Sequence, residues 1–272
     1  MPQDNVRSGA NPLTICIAAI GKEKNEEAIV FATDHMVTME SDDSTWTFEH
    51  SLKKYRKLND KTVAMVSGDP LLIDDLTKLS DSNLEYQKIK REIFDNFKKM
   101  RGEKIKNDLL DLFDIDKKFL KEQLAQDTVN PLVLDMLETL NNYVVGARVI
   151  LVGFDDDKAK ISEITERHMK EYRDFTFYAI GSGSTRAMDT LFCQGHKATD
   201  NLTSTVYDVY KAKRNAEVTS DVGKDTDLII LTKSSYIPLS AKKMKTLIAI
   251  YEKELQFGRK HKEIRNIKNW GE

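Results

Sequence analysis

The chain has 272 residues, of which 40% are hydrophobic and 32% charged, a balance that builds a core under a heavily charged surface and excludes a disordered polymer. Lys plus Arg (42) and Asp plus Glu (44) leave a net charge of −2, so no global field exists to hold nucleic acid or an anionic membrane. Cys16 and Cys193 are the only cysteines and lack CxxC spacing, which argues against a disulfide framework or a zinc cluster and fits a reducing cytoplasm. No apolar run approaches the roughly 18 residues that span a bilayer.

Twelve glycines and five prolines leave no evident linker, and the expectation is one domain carrying an insertion. Residues 1–13 are polar and form a leader or pro-segment. Residues 15–20 and 27–33 predict two strands joined by the polar hairpin segment 21–26. Residues 45–48 and 55–58 follow as a second pair leading into a strand at 62–66. Strands this close in sequence pair antiparallel, so the first quarter predicts an antiparallel sheet.

After Ser67, Gly68, Asp69 and Pro70 the period changes. Leu72, Leu76 and Leu79, then Ile89, Ile93, Phe97 and Met100, recur at helical spacing. A charged helical elaboration spans about 85–130, and Leu134, Leu137, Leu140 and Val144 mark another helix after Pro131. Strand character returns at 147–154, 160–164 and 175–180. Helices then follow through Ala187 and Leu191 and through Val206, Val209 and Tyr210. Residues 227–232 read as a buried strand, and Met244, Leu247 and Tyr251 as the apolar stripe of a final helix and tail over 241–272. This order predicts an α+β fold, a four-layer α-β-β-α sandwich of two antiparallel sheets occupying 14–240.

Thr14, at the mouth of the first strand, carries the chemical interest. Were it the first residue, its hydroxyl would be a nucleophile and its own amine, with an ordinary pKa of about 7.7–8.0, the base. Asp34 ends the second strand and Lys54 lies in a basic stretch; singly these are a turn former and a surface cation. Cys16 shares the strand face of Thr14 and reads as buried packing. His35, His50, His168, His196 and His261 show no HxxxH or HExxH spacing, so no metal centre is expected. The run Gly181, Ser182, Gly183, Ser184 lacks the spacing of a dinucleotide loop, and no cofactor is expected.

Taken together, Asp34, Lys54, the Ser67–Gly68 pair and the Gly-Ser-Gly-Ser turn after residues 177–180 resemble the β-type peptidase chains of the proteasome family. The resemblance implies the N-terminal nucleophile hydrolase fold and peptide-bond cleavage through an acyl-threonine. It implies Thr14 as nucleophile, Asp34 and Lys54 beside it, Gly68 as a backbone oxyanion donor and Ser182 as a supporting hydroxyl. It also implies a peptide or unfolded-protein substrate, a homo-oligomer, and an ATP-dependent unfoldase as partner, with neither nucleic acid nor membrane involved.

The chain departs from that pattern in three places. Pro12 and Leu13, rather than a glycine, precede Thr14, and an alternative alignment puts Pro12 at the nucleophile position. Residues 216–223 hold Thr219, Ser220 and Asp221 in an unfamiliar arrangement. The helical region is longer than the family's, which bears on any ring. Two alternatives therefore stand beside the peptidase: a non-catalytic scaffold or assembly subunit, and an acyl-transfer (peptide ligase) variant. Translation from an alternative start codon at Leu13, followed by removal of the initiating methionine, would expose Thr14.

Overall fold

The computed structural model describes residues 14–259, apart from 42, 43, 127 and 173. Residues 1–13, expected to be a leader or pro-segment, and the basic stretch beyond Arg259 lie outside the described residues. The chain opens with β1 (Cys16–Glu23), β2 (Glu26–Asp34), β3 (Met36–Ser41), β4 (Ser44–Glu49), β5 (Tyr55–Asn59) and β6 (Thr62–Gly68). Helices α1 (Ile73–Leu76), α2 (Tyr86–Ile105), α3 (Lys117–Leu124) and α4 (Pro131–Asn142) follow. Next come β7 (Ala147–Asp155), β8 (Lys158–Ile164), β9 (Met169–Glu171), β10 (Phe177–Ile180), α5 (Ser184–Gln194) and α6 (Leu202–Ala216). The chain closes with β11 (Thr226–Leu231), β12 (Tyr236–Pro238) and α7 (Ala241–Arg259).

Two five-stranded antiparallel sheets form the centre, ordered β10-β1-β2-β11-β12 and β5-β6-β7-β8-β9. The side-chain period of two explains why their central strands are apolar without interruption. On β1, Ile17 and Ala19 join the core under α5, α6 and α7, together with Ile15 just before the strand. Cys16, Ala18 and Ile20 alternate with them and pack between the two sheets against Met65, Ile150 and Ile161. The outer face of the second sheet is covered by α1 and α2, with Ile89, Ile93 and Phe97 against Ala64, Val149 and Leu151. The molecule is thus mixed α and β, with helices, sheet, sheet and helices in succession.

Two expectations are corrected. The strands of the first quarter do not make one sheet: β1 and β2 lie in one five-stranded sheet and β5 and β6 in the other. Between them β3 and β4 pair only with each other, giving a third, two-stranded sheet where two sheets were expected. The loop closes locally because the His50 amide donates to the His35 carbonyl at 3.0 Å, so β4 returns to β3 instead of running on to β5. A hairpin joins β1 and β2 as expected, but the strands run further than the expected connection 21–26 allows, leaving a two-residue turn with positive φ at Lys24 (50°) and Asn25 (73°).

The helical region divides in two. Ile89, Ile93 and Phe97 of α2 belong to the core of the second sheet. Leu110, Leu120 and Val133 form a small separate cluster with partly buried Leu137 and Leu140 of α4. At the far end of the chain, α7 is fastened by buried Tyr251, whose hydroxyl donates to Asn215 Oδ1 at 2.7 Å.

An ion-pair node fastens α2 to the edge of the second sheet. Glu171 on β9 accepts from Lys90 Nζ at 3.0 Å and from Lys160 Nζ at 2.9 Å. Burial alone would raise its pKa, but the hydrogen bonds from Lys160, Lys90 and Gln87 outweigh it and hold the group down at about 2. A depressed carboxyl stabilises the fold above its unfolded pKa, near 4.5, and that contribution is lost as pH falls through about 2. Glu171→Gln is therefore expected to lower stability at pH 7 by about 1–2 kcal/mol. The gap between variant and parent should close between pH 4.5 and 2, as followed by urea titration across that range.

Candidate active site

The candidate site lies where the two sheets meet. Cys16 pairs with Thr33 in the β1–β2 ladder, so Asp34 arrives beside Ile15 and next to Thr14. The Asp34 amide donates to the Ile15 carbonyl at 3.3 Å, and Asp34 Oδ1 accepts from the Ile15 amide at 3.1 Å. This exchange fixes both the strand ends and the carboxylate.

Lys54 comes from the second sheet. It immediately precedes β5, and its carbonyl accepts from the Val66 amide of β6 at 2.8 Å. From there its Nζ crosses to the first sheet and donates to Asp34 Oδ1 at 2.8 Å and, through a very short contact, to Thr14 Oγ1. The Thr14 hydroxyl itself donates to Asp34 Oδ1 at 2.6 Å. Hydroxyl, carboxylate and ammonium thus form a closed triangle, with Thr14, Asp34 and Lys54 exposed by only 1%, 0% and 4%. An ammonium on the hydroxyl oxygen stabilises the charge that develops when the proton leaves.

Ser182 belongs to the same constellation. Its Oγ accepts from the Thr14 amide nitrogen at 3.3 Å and donates to the Thr14 carbonyl at 3.4 Å. The approach depends on Gly181, whose φ is +102° and where an added Cβ would stand 2.1 Å from the Thr14 carbonyl oxygen. Gly181→Ala is accordingly expected to push Thr14 out of the triangle. The strain should cost about 1–3 kcal/mol, read as a lowered urea midpoint, together with loss of any Thr14-dependent turnover.

Gly68 ends β6, two residues beyond Val66, whose carbonyl accepts from Cys16 Sγ at 3.6 Å. Its φ of +106° and the Gly146 carbonyl oxygen, 2.1 Å from an added Cβ, require glycine for backbone reasons. Gly68 makes no hydrogen bond to the Thr14 side chain. Burial pushes the Cys16 thiol well above its ordinary range, as suits a packing residue.

The segment 216–223 contributes differently from expectation. Ser220 and Asp221 bond to each other at 3.0 Å on the surface and do not reach Thr14. The residue that arrives is Gly223, whose amide donates to Asp34 Oδ2 at 2.8 Å. Behind it stands Lys213 of α6, fully buried, with Nζ donating to the Gly223 and Lys224 carbonyls at 2.7 and 2.8 Å and to Glu217 Oε1 at 2.6 Å. Burial draws the Lys213 pKa down, opposed by the Glu217 carboxylate.

Lys213 thus holds the turn that holds Asp34. It was legible as a lysine on the apolar stripe of α6, in step with Val206, Val209 and Tyr210. Gly223 carried no such signal, because an amide in a turn has no sequence pattern.

No protein-family model matches the chain, and no curated protein sequence matches it.

Proposed function

We propose that the protein is a threonine-dependent amidohydrolase of the N-terminal nucleophile type, acting on peptide bonds once Thr14 is the first residue. The observation that carries this reading is the closed triangle of Thr14 Oγ1, Asp34 Oδ1 and Lys54 Nζ, its three residues buried where the two sheets meet. The succession of helices, sheet, sheet and helices supports the same reading.

In the reaction the freed amine, placed beside Ser182 Oγ, takes the Thr14 hydroxyl proton. Oγ1 forms a bond to the amide carbonyl carbon, and the Lys54 ammonium offsets charge on the attacking oxygen. The carbon–nitrogen bond then breaks, the amine returns its proton to the leaving nitrogen, and water cleaves the threonyl ester to restore the hydroxyl. Asp34 orients Lys54 and takes no part in bond making.

A backbone donor for the carbonyl oxygen belongs to this proposal, with Gly68 as the candidate. Self-association and an unfoldase partner belong to it too. Light scattering on gel-filtered protein tests the first, and ATP-dependent degradation of an unfolded protein tests the second. A scaffold reading is favoured by one feature, the proline and leucine in place of a small residue before Thr14.

The deciding experiment is an N-terminal mass measurement on protein that hydrolyses a fluorogenic peptide. The peptidase reading expects active molecules to begin at Thr14. Turnover by a preparation whose every chain keeps Leu13 would contradict it.

A further inference from the structure

A second constellation lies at the other end of β1. His196, just past α5, is buried with its side chain wholly out of solvent, and its two ring nitrogens have different partners. Nε2 lies 3.0 Å from the Ile20 carbonyl oxygen, which can only accept, so Nε2 carries a proton. Nδ1 faces two carboxylates, Asp208 Oδ2 at 3.1 Å and Asp200 Oδ2 at 3.5 Å. Ile20 is six residues from Thr14, about 20 Å along an extended strand, so this cluster is separate from the triangle.

We infer that His196, Asp200 and Asp208 bind a divalent cation of the zinc or manganese type. The first argument is the tautomer. With Nε2 committed to the Ile20 carbonyl, a neutral ring turns the Nδ1 lone pair toward the carboxylates, and a metal-bound histidine characteristically donates its other N–H to a carbonyl in this way. The ring is also held in place by the edge of Phe177, with centroids 5.8 Å apart.

The second argument is charge. Among the described residues no lysine or arginine pairs with Asp200 or Asp208. Among the described residues Asp200 accepts one neutral donor, the Lys197 amide at 2.8 Å, and Asp208 meets the imidazole alone. Two carboxylates around one buried ring carry two negative charges. A single imidazolium proton cancels half of that, whereas a dication with a neutral ring cancels it fully.

The third argument is distance. Ligand atoms about 2.0–2.2 Å from a common ion, at tetrahedral or octahedral angles, lie about 3.0–3.5 Å apart, which is the spacing from Nδ1 to each carboxylate. All three ligand atoms lie within 4.8 Å of one another, and a small inward rotation of the part-exposed Asp200 completes the set. One imidazole and two carboxylates form a mixed nitrogen and oxygen donor set that suits zinc or manganese, with water filling the remaining positions.

The ion would have a structural role. The Asp200 carbonyl accepts from the Lys22 amide at 2.8 Å, and His196 reaches Ile20, so the cluster already joins the loop between α5 and α6 to the β1–β2 hairpin.

The test uses tag-free full-length protein stripped with EDTA and titrated calorimetrically with zinc chloride and manganese chloride. One saturating equivalent of either metal is expected, with the melting temperature raised by about 5–8 °C at a hundredfold excess over Kd. Asp208→Asn, nearly isosteric and checked for folding by far-UV circular dichroism, should weaken binding about 100-fold, while Thr14→Ala should bind as the parent does. Pulsed EPR of the manganese-loaded parent should show one directly bound nitrogen, a readout that requires no variant. Absence of saturable binding by both metals, no nitrogen ligand, or unchanged affinity in Asp208→Asn would overturn the site. A melting temperature that responds to pH but to neither metal would identify an imidazolium clasp instead and equally overturn it.

Discussion

Thr14→Ala is expected to lower peptide hydrolysis by about 10⁴-fold or more, the scale on which loss of a nucleophile registers in enzymes of covalent mechanism. The variant should fold, because Lys54 Nζ still meets Asp34 Oδ1 at 2.8 Å when the hydroxyl is gone and no charge is left unpaired. The loss of two hydrogen bonds costs about 1–2 kcal/mol, measurable as a small fall in the urea midpoint. Thr14→Ser keeps the hydroxyl and should retain turnover within about tenfold. Peptidase rates on the three proteins, each with its N-terminus verified, make the comparison. Turnover by Thr14→Ala at the parent rate would assign the chemistry elsewhere.

Lys54→Met should have the largest effect on stability. Lys54 and Asp34 are exposed by 4% and 0%, and removing one member of a buried pair leaves the other charge uncompensated, at a cost of about 3–5 kcal/mol. The same substitution removes the ammonium from the Thr14 oxygen, so turnover should fall by about 10³-fold. Stability and activity can be separated by adding Asp34→Asn. The double variant should recover much of the stability, since no buried charge remains, and none of the activity. Chemical denaturation and peptidase assays on the four proteins of this cycle read both quantities. Recovery of activity in the double variant would show that Lys54 acts only through the fold.

The strands that position the site were legible because β1 and β2 are buried on both faces, and Ile15 to Ile20 admit no other reading. The triangle was legible in part. Thr14, Asp34, Lys54 and Ser182 are brought together, whereas Gly68 sits at the end of β6 and makes no hydrogen bond to the Thr14 side chain. What the pattern hid was backbone pairing. The edge strands β9 and β12 have three residues each, too few for a period of two to show. The separate β3–β4 sheet is a backbone ladder from Met36 opposite Glu49 to Ser41 opposite Ser44, extended by the bond between the His50 amide and the His35 carbonyl, and backbone pairing of this kind leaves no side-chain pattern. The gathering of His196 with Asp200 and Asp208 required α6 to turn back beside the end of α5, which spacing alone does not disclose.

The central claim is that the Thr14 oxygen becomes acylated. It is tested most directly by reacting the protein with an electrophilic acyl probe, then digesting it and mapping the adduct by tandem mass spectrometry. The account predicts one ester, on Oγ of an N-terminal Thr14, absent from Thr14→Ala and suppressed in Lys54→Met. An adduct on Cys16 or Cys193, or equal labelling of parent and Thr14→Ala, would contradict it.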